Sequence, residues 1–122
     1  MRRVPKFLDD DGVFRFPDGR EVCDLKSKKG RDEYIRRIRS MLVRQKKICG
    51  LQISDQCKAR HGRLSIDEAQ FDHEVGRGLG GGHRDDRIEI DGEPQNAAVC
   101  AWCNILKGSR RIPYFEGLLD AV

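Results

Sequence analysis

The fold class this sequence predicts is a small α+β domain, and three observations carry it. An alternating stretch bounded by turn residues near the N-terminus reads as a β-hairpin. A basic, amphipathic stretch after it reads as a helix. The second half then runs strand, glycine-rich loop, strand, helix. A chain of 122 residues fits one domain. Its 38% hydrophobic and 36% charged residues leave a thin core, which suits a metal staple.

In the hairpin, Val13-Phe14-Arg15-Phe16 alternates, Pro17-Asp18-Gly19 turns and Glu21-Val22-Cys23 returns. Gly30 precedes a helix expected from about Arg31 to Lys47. There Tyr34, Ile35, Ile38, Met41 and Leu42 recur at three- and four-residue spacing. Between Lys26 and Lys47 ten Lys or Arg face only Asp32 and Glu33 in opposition. Arg36, Arg37 and Arg39 fall largely outside the apolar stripe, so this helix can offer cations to a DNA backbone; the same charges also suit a solvated face. The segment from Cys49 to Gly62 is irregular and polar, as a metal-held loop would be. Ala69 to His73 is a short strand, and Gly76 to Gly82 makes a loop able to approach a ligand closely. Arg87 to Ile90 is the expected second strand, with Asp91-Gly92 as its turn. Asn96 marks the reversal into a helix from about Ala97 to Lys107, ended by Gly108. Residues 1–48 thus form the hairpin and basic helix, 49–111 the core with its metal site, and 112–122 an apolar tail. The tail is expected to pack back on one compact domain, with a dimer contact as its other reading.

Composition excludes some classes. No stretch approaches a membrane span, and Met1-Arg2-Arg3-Val4-Pro5 leads into charged sequence without an apolar signal region. Five cysteines are an odd count for a secreted disulfide framework and read better as metal ligands plus one spare, Cys23. A cytoplasmic location is expected.

The chemistry concentrates in Phe71-Asp72-His73-Glu74, Asn96 and Cys100-Ala101-Trp102-Cys103-Asn104. A carboxylate and an amide oxygen suit a hard cation such as Mg²⁺, leaving its other positions to water and phosphate oxygens. A histidine, whose ordinary pKa lies near neutrality, suits the deprotonation of water. Cys100-x2-Cys103 is half a zinc site. In a strand, neighbours 72 and 73 point to opposite faces, so both serve one centre only if the strand ends or bends there.

FDHEVGRGLGGG, Asn96 and CAWCNILKGS, in that order, resemble the HNH endonuclease family, over roughly residues 49 to 111. The resemblance implies a ββα-metal core and metal-dependent hydrolysis of DNA, one strand nicked per site. It implies His73 as general base, and Asp72 and Asn104 as ligands of a catalytic Mg²⁺ or Mn²⁺. Asn104 stands where the family often has His. Asn96 would restrain the loop around the histidine. From their place in or beside the glycine loop, Arg77 and Arg84 suit a phosphate grip and equally suit solvated loop arginines; His83 reads as a surface histidine. The upstream cysteine pair departs from the family spacing because position 52 is Gln. Cys49 with Cys57, or Cys57-x3-His61, completes the zinc site with Cys100 and Cys103; the position of Cys49 just after the helix favours the first set. The rival function is a zinc-stapled nucleic-acid-binding module without catalysis, or a subunit associated with other DNA-processing proteins. RNA is a third possible substrate.

Overall fold

In the computed structural model, residues 7–73, 84–108, 110 and 112–114 are described. Arg77, His83 and the glycine loop lie outside them. Strands β1 (Phe7–Leu8), β2 (Val13–Arg15) and β3 (Glu21–Cys23) form an antiparallel sheet in that order. The expected hairpin is β2–β3, with Val13 opposite Cys23 and Arg15 opposite Glu21. Strand β1 has two exposed residues, too few to alternate visibly, and went unread.

Helix α1 spans Lys28–Arg44, three residues earlier than expected. The Ser27 side chain caps it, accepting from the Gly30 amide at 3.0 Å. Gly30 lies inside the first turn because a Cβ there would run into the Asp24 carbonyl oxygen. Past Arg44 the chain turns through Lys46 and Lys47, with φ of 54° and 60°. Of the apolar stripe, Ile38, Met41 and Leu42 are buried and Tyr34 is partly so, while Ile35 is exposed. A short helix α2 (Asp55–Ala59), capped by Ser54, lies in the segment expected to be irregular.

Strand β4 (Gln70–His73) falls within the expected strand. Its partner does not. Of Arg87–Ile90, the expected second strand, Glu89–Ile90 forms β5, which folds onto β6 (Glu93–Pro94) as a separate ribbon. The partner is β7 (Asn96–Val99), antiparallel, with Gln70 opposite Val99 and His73 opposite Asn96. Helix α3 (Ala101–Lys107) therefore starts at Ala101, with Cys100 as its N-cap, not at Ala97. Alanines favour helix locally, but Ala97, Ala98 and Val99 are wholly buried in the core and tertiary burial decides. Small side chains let neighbouring backbone come close. The Gly50 amide donates to the Ala98 carbonyl at 3.0 Å, and a Cβ on Gly50 would press into that of Ala97. Gln45 closes the same edge: its amide donates to the Ala98 carbonyl and accepts from the Ala98 amide, both at 2.9 Å.

Strand β4 carries helices on both faces. Phe71 and His73 look towards α1, where Phe71 stacks on Tyr34 with ring centroids 4.8 Å apart. Gln70 and Asp72 look towards α3, whose Asn104 and Lys107 bond to them. Ile112 and Tyr114 of the tail pack against the core. No described helix is long and apolar enough to cross a membrane.

Candidate functional site

Four cysteines from three places converge. Cys49 follows the turn after α1, Cys57 lies in α2, and Cys100 and Cys103 open α3. Their sulfurs lie within 4.8 Å of one another; all are buried and none is in a disulfide. Tetrahedral zinc with bonds of about 2.3 Å would set sulfurs roughly 3.8 Å apart, a small adjustment. Backbone amides already point at the sulfurs: Cys100 N–H to Cys49 Sγ, Cys103 N–H to Cys100 Sγ and Ile53 N–H to Cys103 Sγ, each at 3.4 Å. Burial, then the neighbouring Cys49, pushes the Cys57 thiol up; burial pushes Cys100 up to about 11. Burial also works against ionising Cys103, but bonds from Ser54 and Ile53 bring it down to about 7. Four thiolates this close need a cation, and the donor set fits a structural zinc. His61 is exposed and outside the group.

His73 closes β4 beside a carboxylate the sequence did not single out. Its Nε2 lies 2.8 Å from Asp86 Oδ1, and its ring stacks on Phe71 at 4.8 Å. Asp86 is wholly buried and accepts also from Arg84 Nη2 at 2.6 Å and from the Cys23 amide at 2.8 Å. Burial alone would raise this carboxyl; the bonds from His73, Arg84 and Cys23 overcome it and hold it at about 2. A charged Asp86 makes Nε2 the protonated nitrogen of a neutral ring, and Nδ1 has no partner among the described residues. The N-terminal hairpin forms the floor of this arrangement, since the Asp86 amide donates to the Glu21 carbonyl at 2.6 Å. Asn96, opposite His73, is buried and donates to the carbonyls of Asp85 (2.8 Å) and Arg87 (2.5 Å), either side of Asp86.

Asp72 and Asn104 are not brought to one point. Asp72 projects from the other face of β4 and is buried against Lys107, whose Nζ donates to both carboxylate oxygens at 2.9 and 3.1 Å and to the His73 carbonyl at 2.6 Å. Asn104 Nδ2 donates instead to Gln70 Oε1 at 2.9 Å. Within β4, Asp72 and His73 keep to opposite faces, Asp72 on Lys107 and His73 on Asp86. Lys107, three residues past Asn104, reads in the sequence only as the helix end.

The three helix arginines also part company. Arg37 is corrected from a phosphate contact to a buried structural cation: it binds Glu33 at 2.8 Å, Glu21 at 2.7 Å and the Asp86 carbonyl at 2.9 Å. Arg36 is exposed but doubly bonded to Glu33, each at 2.6 Å. Arg39 is exposed, with no ion pair among the described residues. Arg84 is committed to Asp86. Cys23 is buried, and burial pushes its thiol up to about 11.

Neither a family model, nor a curated protein, nor a solved structure matches this chain.

Proposed function

We propose that this chain is an endonuclease of the HNH type that hydrolyses DNA phosphodiester bonds, with β4, β7 and α3 as its ββα core and zinc at the four cysteines. The observation that carries the reading is the setting of His73. Its Nε2 is engaged by a charged, buried carboxylate, which fixes the ring and leaves Nδ1 to take a proton. In the step proposed, water loses a proton to Nδ1 as its oxygen bonds to phosphorus. The bond to the 3′ oxygen breaks, and that oxygen is protonated from solvent. Asp86 offsets the charge the imidazole acquires, and Asn96 holds the backbone on either side of Asp86.

The resemblance also implies a catalytic Mg²⁺ or Mn²⁺, and the residues assigned to it do not fit together: Lys107 already balances Asp72, and Asn104 is turned to Gln70. That pairing favours a second reading, a zinc-stapled nucleic-acid-binding module without catalysis. Incubating the zinc-loaded protein with supercoiled plasmid in Mg²⁺, in Mn²⁺ and in chelator separates the two. Nicking by the wild type that His73→Ala lacks supports the nuclease. A wild type inert in every metal supports the binding module.

A further inference from the structure

Sharing no residue with His73 or the cysteines, the C-terminal half of α1, the turn after it and the segment from Arg60 to Ile66 enclose an open groove of about 790 Å³. Its floor is apolar: Leu42, Val43, Ile48, Leu64 and Ile66. Its rim is cationic: Arg39, Lys46, Lys47, Arg60 and Arg63, and among the described residues no carboxylate lines it. Arg60 is paired with Glu68 at 2.6 Å; the other four have no ion pair among the described residues. Val43 is 72% exposed and Ile66 38% exposed, so the floor is open to solvent. The left-handed turn at Lys46 and Lys47 brings two consecutive cations to one edge.

We propose that this groove docks an acidic amphipathic helix of a partner protein. Such a helix lays an apolar stripe into a groove while acidic side chains meet the rim, so both properties of the surface are matched at once. Nucleic acid matches only one. Single strands are held by stacking on aromatic rings as well as by cations, and among the described residues no Phe, Tyr or Trp lines this groove. Duplex phosphates gain nothing from an apolar floor. The lining shares no residue with the His73 centre or the cysteine cluster, so the proposal stands whether or not the chain cleaves DNA.

The test uses the full, zinc-loaded chain and a fluorescent peptide of about 18 residues, roughly five helical turns. The peptide carries leucines at i, i+3, i+4 and i+7 spacing and glutamates elsewhere. A scrambled peptide of the same composition and labelled single- and double-stranded oligonucleotides are the comparisons. Binding of the ordered peptide should exceed that of its scramble. It should fall about tenfold, or 1.4 kcal/mol, both in Val43→Ser/Ile66→Ser and in Lys46→Gln/Arg63→Gln. All four positions are exposed, and Val43→Glu repeats the apolar test with one change should the double variant melt early. Equal binding of the scramble, or binding unaffected by both double variants, overturns the proposal. So does an oligonucleotide whose affinity depends on Lys46 and Arg63 while the peptide fails to bind, which would assign the face to nucleic acid.

Discussion

At His73 three neighbours act on one ring: Phe71 stacks beneath it, Asp86 takes its Nε2–H, and Asn96 stands across the strand pair. If Asp86 sets the tautomer, Asp86→Asn should lower the nicking rate by roughly 10²-fold, the scale of losing effective base catalysis. Substrate binding should change little. Measuring kcat and KM separately checks this, since a structural effect alone would not single out kcat. On the other face, Lys107→Met should destabilise the protein by about 3–5 kcal/mol, because it leaves the Asp72 carboxylate buried and unpaired. Asp72→Asn/Lys107→Met should recover most of that loss in urea unfolding. His73 was legible in the sequence because its motif is local. Asp86 was not, because its burial comes from docking on β3, 63 residues away along the chain. Lys107 was hidden for a similar reason: a lysine ending a helix looks solvated until a carboxylate 35 residues back is seen beside it.

Among the elements, α1 was readable from periodicity, β4 as a short strand ahead of the glycine loop, and the β2–β3 hairpin from its turn chemistry. The β4–β7 pairing was not. A strand of Asn-Ala-Ala-Val has no alternation because the whole strand is buried, and it runs straight into helix-compatible residues. Burial of this kind is set by packing, not by local preference. The edge of β7 is closed by the Gln45 side chain together with the Gly50 amide. Gln45→Leu strips the bonds from the Ala98 amide and weakens those to its carbonyl, a loss of about 1–3 kcal/mol. Ser27→Ala removes the α1 cap and the hydroxyl's bond to the Asp24 carbonyl and should cost about 1 kcal/mol. Urea unfolding of the two variants side by side should rank Gln45→Leu as the more damaging.

For the molecule as a whole, the cysteine cluster ties the turn after α1, helix α2 and helix α3 to one point, so the zinc-bound and metal-free chains should differ in fold and not merely in stability. Elemental analysis should find one zinc per chain, and chelation should abolish the cooperative melt. Acid separates this staple from the carboxylates. Asp86 has a lowered pKa, so its contribution is complete above about 3.8 and is lost only as pH falls towards 2. Thiolate ligands take up protons earlier, so acid unfolding should begin above that window and shift to lower pH with added zinc. The nearly complete cysteine set was legible as spacing, although the sequence alone left Cys49 and His61 as rivals. His73 is the proposed base of phosphodiester hydrolysis, and plasmid nicking by wild type and His73→Ala decides whether it is. The wild type should relax supercoiled plasmid, and His73→Ala should do so about 10²- to 10⁴-fold more slowly, with zinc content and DNA binding retained. Nicking at the wild-type rate by a folded His73→Ala protein would contradict it.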